Sequence, residues 1–333
     1  GQGFTFRKIF WITGILSFFI SPIADNLTTA LIMCAVVMAV GKNNSKFIGL
    51  ACINIVVCAN AGGAFSPFGD ITTLMVWQKG VVSFSEFFYI FVPSLVNAII
   101  PAVIMHFAIS NDKPAASKEK VTVKKGGYTI IGLFLGTITF TVIQHQFLHL
   151  PPVFGMMTGL GVLSIYGYFL KKKDHKDKSN TKAFDIFNKV SKAEWDTLFF
   201  FYGVLMCVGG LSAFGYMSLT AAYMYGDLGA STANILVGIL SAIVDNIPVM
   251  FAVLTMLPEM DLGQWLLVTL TAGVGGSMLS IGSAAGVALM GQTKGIYTFF
   301  FHLKWTPVIA LGYAASILVH FLWNAKLFNG IPL

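Results

Sequence analysis

The chain has 333 residues, of which 56% are hydrophobic and 11% are charged, and its formal net charge is +7. A soluble domain carries about 25% charged residues, so this composition excludes an ordinary soluble protein and predicts a polytopic membrane protein. The lysines gather in loops between apolar segments, where they orient a protein in the bilayer, so the positive charge does not indicate a nucleic-acid partner. The four cysteines lie in apolar runs without a C-x-x-C pair, which argues against a transition-metal site.

The first two apolar runs, 9–20 and 27–40, are each shorter than the about 20 residues that a spanning helix needs. They meet at a polar segment that contains Asp25 and Asn26. This pattern predicts a re-entrant helical hairpin over residues 9–40 with its polar tip inside the membrane. Basic residues flank the hairpin, among them Arg7 and Lys42, and place both of its ends on the cytoplasmic side.

The next apolar segment, 47–78, is interrupted by glycines and a proline between residues 62 and 70. Such residues break a helix and free backbone carbonyls, which is tolerated at membrane depth only where protein or water satisfies them. We therefore predict a discontinuous helix over 47–78 and a further helix over 84–109. Residues 1–110 form the first predicted repeat, and 111–127 form a basic cytoplasmic loop.

The second half of the chain continues with scaffold helices over 128–217. A second short-armed hairpin is predicted over 230–257, a second broken helix over 262–290, and a last helix over 307–323. Residues 218–333 hold these last three elements.

The two halves carry matching residues. Asp25-Asn26 recurs as Asp245-Asn246, and the Gly-Gly pair at 62–63 recurs at 275–276. The first hairpin opens inward and the second outward, so the fold class is an all-α polytopic membrane protein with inverted repeats, an arrangement typical of alternating access. Three crossings precede the second hairpin but only residues 1–8 precede the first, so we expect about a hundred further N-terminal scaffold residues.

Hairpin tips and helix breaks present side-chain oxygens and free carbonyls, which hard cations such as Na+ prefer. The candidate cation and proton ligands are Asp25, Asn26, Thr28, Thr29, Ser66, Asp70, Thr72, Asp245, Asn246, Ser277, Ser280 and Ser283. The candidate residues of the helix-break backbone are Gly62, Gly63, Pro67, Gly69, Gly275, Gly276 and Gly282. A carboxylate in a low-dielectric cavity holds a proton at moderate pH and loses it when a cation binds, so competition at one acidic site predicts exchange.

Three stretches are distinctive. They are Ser21-Pro22-Ile23-Ala24-Asp25-Asn26-Leu27-Thr28-Thr29-Ala30-Leu31, then Asn60-Ala61-Gly62-Gly63-Ala64-Phe65-Ser66-Pro67-Phe68-Gly69-Asp70-Ile71-Thr72-Thr73, and Val244-Asp245-Asn246-Ile247-Pro248. These stretches resemble the NhaD-type sodium/proton antiporters of the ion transporter superfamily, and the likeness covers nearly the whole chain. The resemblance implies a bacterial inner-membrane exchanger of Na+ or Li+ for H+, often a homodimer, with no cofactor beyond the transported ions. The family carries further N-terminal helices, which this chain lacks.

Other interpretations of the same residues stay open. Asp25 and Asp245 could cap their own hairpin helices, and Asp70 could cap the helix that follows it. A sodium-coupled organic anion carrier of the dicarboxylate type, or an oxyanion efflux protein, could use the same scaffold, although acids at the tips repel anions. An intramembrane aspartyl protease would need Asp25 and Asp70 as a dyad. Its G-x-G-D motif differs from the Pro67-Phe68-Gly69-Asp70 found here, so we expect a transporter and not an enzyme.

Overall fold

The computed structural model describes residues 3–42, 44–114, 126–176, 191 and 195–328, without the side chains of 173–176 and 196–197. All regular structure in this part of the chain is helical, which confirms the predicted all-α class. Six of the described helices are long and apolar enough to cross a membrane, or seven if one sharply bent pair counts as a single span. The chain is therefore a multi-pass membrane protein. Most of the predicted basic loop 111–127 lies outside the described residues.

The α-helices of the described residues are numbered in chain order. They are α1 (Phe6–Ala24), α2 (Asn26–Gly41), α3 (Ser45–Ala64), α4 (Ile71–Lys79), α5 (Phe91–His106), α6 (Gly127–Leu148), α7 (Pro152–Lys176), α8 (Trp195–Ala213), α9 (Tyr216–Ala221), α10 (Ala230–Ile243), α11 (Asn246–Met256), α12 (Leu262–Gly275), α13 (Ala284–Gln292), α14 (Phe299–Leu303) and α15 (Thr306–Trp323). Short 3₁₀ turns cover Glu86–Ile90 and Ala325–Leu327, and a π-helical turn covers Ala222–Asp227.

The chain forms two compact units. The first, Gly1–Lys118 with Phe201–Leu333, contains the segments of both predicted hairpins and both predicted broken helices. The second, Glu119–Phe200, contains α6 and α7. Within the second unit Gly155 packs on Thr141 and Gly159 packs on Thr137. These paired contacts run in opposite directions along the two helices, so α6 and α7 are antiparallel and approach closely through small residues.

The first hairpin consists of α1 and α2, joined by the single residue Asp25. Helix α1 has 19 residues and is therefore longer than the apolar run 9–20. By length and composition it could cross a membrane. It begins after Thr5, whose hydroxyl accepts from the Lys8 backbone, and it continues through Pro22. A proline inside a membrane helix removes one helix hydrogen bond and is tolerated where neighbouring groups satisfy the freed carbonyl.

The hydrogen bond that Pro22 removes is the one to the carbonyl of Phe18. Gly62 of α3 packs directly against that carbonyl, because the absence of a Cβ lets the two backbones meet. The second copy has an equivalent contact, in which Gly275 of α12 packs on the carbonyl of Gly238 in α10. Each hairpin is thus fixed to the first half of the broken helix that follows it.

A serine strengthens each of these two contacts. Ser21 Oγ donates to the carbonyl of Ala59 at 2.6 Å, and Ser241 Oγ donates to the carbonyl of Ala272 at 2.8 Å. The two copies therefore share local packing as well as sequence. Their inverted orientation stays a prediction.

Both broken helices contain a compact non-helical segment. Helix α3 ends at Ala64 and α4 begins at Ile71, while α12 ends at Gly275 and α13 begins at Ala284. A Cβ on Gly63 would lie 2.5 Å from the carbonyl oxygen of Gly69, and a Cβ on Gly276 would lie 2.5 Å from that of Gly282. Each segment therefore folds back on itself, and Pro67 lies in the turn of the first.

We expect Gly62→Ala and Gly275→Ala each to destabilise the protein by about 1–3 kcal/mol, because the new methyl group overlaps a helix carbonyl. The matched control is Gly132→Ala in α6, where a Cβ meets no atom within 4 Å. The measurement is the thermal unfolding midpoint of the purified protein in detergent. A Gly275→Ala protein as stable as the Gly132→Ala protein would contradict the close packing of α10 on α12.

Candidate cation site

Asp70 lies at the centre of the site and accepts hydrogen bonds from both hairpin tips. Its Oδ2 accepts from Asn26 Nδ2 and from Asn246 Nδ2, each at 2.8 Å. Its Oδ1 accepts from the backbone N–H of Thr72 at 3.1 Å. Only 4% of Asp70 is exposed, so these three donors supply the hydrogen bonds that water would otherwise give. We call Asp70 with Asn26 and Asn246 the Asp70 clasp.

The clasp forms where helices begin. Asn26 is the first residue of α2, Asn246 is the first residue of α11, and Asp70 is the N-cap of α4. Helix N-termini carry unpaired N–H groups and the positive end of the helix dipole, so they stabilise a buried carboxylate. The preceding helices α1, α3, α10 and α12 end in the same segments, so the carbonyls of their last turns also lie there.

Asn60 extends the clasp to the second broken helix. Its Oδ1 accepts from Asn26 Nδ2 at 3.0 Å, and its Nδ2 donates to Ser283 Oγ at 3.0 Å. Asn60 is fully buried, and Ser283, the N-cap of α13, is 1% exposed. A continuous hydrogen-bonded chain thus joins both hairpin tips to both helix breaks. Asn60 is absent from the predicted ligand set. Its position two residues before the first Gly-Gly pair is the signal that could have identified it.

The acids of the two tips differ in their contacts. Asp25 accepts at Oδ1 from the Thr28 N–H at 2.9 Å and at Oδ2 from the Thr28 hydroxyl at 2.7 Å, so it caps α2. Its backbone has φ 58° and ψ 163°, a region that only glycine adopts readily. Asp245 makes no side-chain cap, and its Oδ1 is buried without a hydrogen-bond partner. The side-chain cap is thus clear for Asp25, whereas the Asp245 carboxylate lies beside the N–H groups of Asn246 and Ile247 without forming the same cap.

Two of the predicted threonine ligands are fully buried, Thr29 and Thr72. The Oγ1 of Thr29 lacks a hydrogen-bond partner, whereas the Thr72 hydroxyl lies beside the Asp70 carboxylate. Thr29 follows Asn26 by three positions on α2, and Thr72 follows Asp70 by two on α4, so both are close in sequence to the clasp. A buried polar oxygen without a partner is costly and is typical of a position that binds water or an ion.

The remaining predicted ligands make local contacts. Ser66 Oγ donates to the Pro22 carbonyl at 2.7 Å, and Ser277 Oγ donates to the Val274 carbonyl at 2.6 Å. Ser280 Oγ points at the sulfur of Met290 at 3.3 Å. These three serines are buried but do not join the clasp, and Thr28 is exposed. The structure thus joins Asn26, Asp70 and Asn246 directly, and Ser283 is joined to them through Asn60.

Electrostatics also connects the three acids of this region. Asp70 is close enough to both Asp25 and Asp245 for their negative charges to interact. Across the described ranges no group of three or more His, Cys, Asp or Glu side chains could hold a metal ion. The donor set is carboxylate, amide, hydroxyl and carbonyl oxygen, which suits a hard monovalent cation.

Comparison with known proteins identifies the family. Residues 3–273 match the family CitMHS, described as citrate transporter. The chain is 57% identical to the Na(+)/H(+) antiporter NhaD of Alkalimonas amylolytica, over 98% of this chain and 72% of that protein. It is 61% identical to the Na(+)/H(+) antiporter NhaD of Vibrio parahaemolyticus, over 94% of this chain and 80% of that protein. It is 33% identical to sodium/proton antiporter 1 of Arabidopsis thaliana, over 93% of this chain and 55% of that protein. The chain therefore belongs to the CitMHS family and, within it, to the NhaD-type sodium/proton antiporters.

Proposed function

We infer that this chain is a secondary active transporter that exchanges Na+ for H+ across a membrane. The observation that carries this conclusion is the buried clasp around Asp70, in a chain whose relatives at 57% and 61% identity are Na+/H+ antiporters. Those relatives are transporters, and this chain is likewise not an enzyme. An organic anion or oxyanion carrier and an aspartyl protease are not favoured, because the relatives at 57% and 61% identity are Na+/H+ antiporters.

In the proposed mechanism Na+ and H+ compete for Asp25 and Asp245, the two half-buried tip acids. A bound proton neutralises the carboxylate. When Na+ binds, it displaces this proton and is coordinated by a shell of oxygens. The unpaired buried oxygens of Asp245 and Thr29 support their assignment to that shell. Of the remaining predicted ligands, Ser66, Ser277, Ser280 and Ser283 act mainly by fixing the helix breaks, with the glycines that allow these breaks to fold back.

We further propose alternating access by two inverted repeats, with 1–110 as the first and 218–333 holding the mobile elements of the second. Asp70 accepts from Asn26 of the first tip and Asn246 of the second, so a movement that separates the tips must break at least one of these bonds. The clasp would therefore couple the two copies. The duplicated packing of each hairpin on its broken helix supports movement of each pair as one body.

The finer features rest on the family relation. Li+ is a hard cation that prefers the same oxygen ligands as Na+, so we propose that it is also transported. We propose that the protein works as a homodimer in the lipid bilayer of a bacterial inner membrane, since the two NhaD relatives described above come from bacteria.

Exchange is tested in everted membrane vesicles with a dye quenched by the inward proton gradient. We expect Na+ or Li+ to restore the fluorescence, and citrate or succinate to have no effect. Asp25→Asn and Asp245→Asn should each abolish the Na+ response, because an amide cannot bind a proton in exchange for a cation. Asp227→Asn is the control, since Asp227 is exposed outside the hairpins. Undiminished exchange in both tip variants would overturn the assignment of the exchanging acids.

Competition between the two ions gives a pH dependence with a definite sign. A proton that occupies the carboxylate excludes Na+, so the Na+ concentration that gives half-maximal dequenching should rise as the pH is lowered. The rise for one competing proton is at most about tenfold per pH unit. The measurement is a Na+ titration at several pH values, with the same pH on both sides of the membrane before energisation. A half-maximal concentration that stays constant while only the maximal rate changes would contradict direct competition.

The clasp predicts coupling between the two tips. Asn26→Ala or Asn246→Ala alone leaves Asp70 Oδ2 with one amide donor, whereas the double variant leaves this buried oxygen with none. We expect the double variant to lose more thermal stability than the sum of the single variants, by about 1 kcal/mol or more.

The control for this comparison pairs Asn26→Ala with Asn54→Ala. Asn54 is also buried, but its Nδ2 donates to the Phe10 carbonyl at 3.1 Å and does not contact Asp70. The two substitutions of the control pair should be additive. Additive losses for Asn26→Ala and Asn246→Ala would show that the tips do not share Asp70.

A further inference from the structure

The second helix break is held by two side chains from the segment that follows it. His302 Nε2 lies 3.0 Å from the carbonyl oxygen of Ser277, and Thr306 Oγ1 donates to the carbonyl of Met278 at 2.7 Å. His302 belongs to the short helix α14, and Thr306 is the first residue of α15. Because Ser277 and Met278 directly follow the Gly275-Gly276 pair, these bonds fix the backbone at the beginning of the break.

The hydrogen-bond partners determine the protonation pattern of the neutral His302 ring. A carbonyl oxygen can only accept, so Nε2 carries the proton that bonds to Ser277. Nδ1 is then an acceptor, and the hydroxyl of Tyr297, 2.6 Å away, donates to it. Tyr297 and His302 are both fully buried. The direction of donation therefore runs from Tyr297 through His302 to the backbone of the break, and the tyrosine orients the histidine.

The first helix break is held differently. Ser66 Oγ donates to the Pro22 carbonyl of its own hairpin, and Thr73 Oγ1 donates to the carbonyls of Ser66 and Asp70 at 2.7 and 2.8 Å. All of these contacts lie within the first copy. The second break thus depends on residues outside the repeated motif, which the comparison of the two copies could not predict.

The other end of the second break reaches the cation site. Ser283 accepts from Asn60, which also accepts from Asn26 of the clasp. The two ends of the break are neighbours, because Gly276 packs against the carbonyl of Gly282. A displacement of Ser277 therefore shifts the oxygens that the break presents to Asn60.

We propose that His302, oriented by Tyr297, is a positioning residue that holds the second helix break in the arrangement that binds Na+. The inference rests on the proposed Na+/H+ exchange and assigns to it a residue that contacts neither cation nor acid. Loss of the histidine loosens the break, so it weakens Na+ binding without removing an exchanging carboxylate. The signature is a higher half-maximal Na+ concentration at a nearly unchanged maximal rate.

The test compares His302→Leu, His302→Gln and Tyr297→Phe in everted vesicles, with Na+ titrations of the dequenching response. We expect the half-maximal Na+ concentration to rise about tenfold in His302→Leu, which loses the bond to Ser277. Glutamine can donate its side-chain N–H to the same carbonyl, so His302→Gln should stay within about twofold of the wild type. Tyr297→Phe removes one hydroxyl and should give a rise of about threefold.

His320 provides a matched control. It is also fully buried, its Nε2 lies 3.0 Å from the Gly263 carbonyl, and its Nδ1 lies 2.9 Å from Asn324 Nδ2. Gly263 is at the far end of α12 from the break, so His320→Leu removes a similar contact from a part of the helix that does not form the break. Its half-maximal Na+ concentration should equal that of the wild type.

The outcomes separate this inference from the function on which it rests. A wild-type protein without Na+-driven proton movement overturns both. A wild type that exchanges, with unshifted half-maximal concentrations in His302→Leu and Tyr297→Phe, overturns only the positioning role. An equal shift in His320→Leu would also overturn it, because any buried histidine would then have the same effect. If His302→Leu does not accumulate in the membrane, Tyr297→Phe decides.

Discussion

The arrangement of the first unit depends on one buried carboxylate that two separate hairpins need. Asp70 is almost inaccessible to solvent, and an uncompensated charge at such a position would be prohibitively costly in a membrane protein. Its compensation comes from Asn26, Asn246 and the Thr72 N–H, which lie at the beginnings of three helices. Those helices can begin at one point only because each hairpin packs tightly on its broken helix. The glycines that allow this packing therefore determine the site as much as the ligands do.

The two copies of the Asp-Asn motif form a centre with non-equivalent halves. The first broken helix is capped by Asp70 and the second by Ser283, so a single carboxylate serves both tips. The tip acids also differ: Asp25 is held by Thr28 in a backbone conformation that favours glycine, whereas Asp245 keeps a buried oxygen unpaired. Identical Asp-Asn pairs thus have different surroundings. If both acids exchange protons, they do so under different constraints, and Asp245 is the less constrained of the two.

The sequence predicts the helical class, the breaks after the Gly-Gly pairs and most of the polar residues that meet, because these follow from short-range pattern and from the cost of polar groups in lipid. It does not predict which polar residues share a bond. Asn60, like Asn54, is an amide in an apolar run, and its partners Asn26 and Ser283 are 34 and 223 positions away. The apolar run 9–20 does not predict that α1 continues through Pro22 to Ala24, since the effect of Pro22 depends on Gly62 packing beside it. His302 resembles any lone histidine until its two partners are known.

The clasp offers a physical reason why ion binding and tip movement should be linked in the proposed exchange. Both lone-pair directions of Asp70 Oδ2 are used by amide N–H groups, so a cation that binds this oxygen must displace one of them. The displaced asparagine belongs to one hairpin tip, and the bond that remains belongs to the other. A cation that instead binds Asp245 leaves the clasp intact and satisfies a buried oxygen that otherwise lacks a hydrogen-bond partner. In the proposed exchange, an ion beside Asp70 leaves the two tips held together. An ion that binds Asp70 itself releases one tip. The choice between these two positions would couple occupancy of the ion site to its access from either side of the membrane.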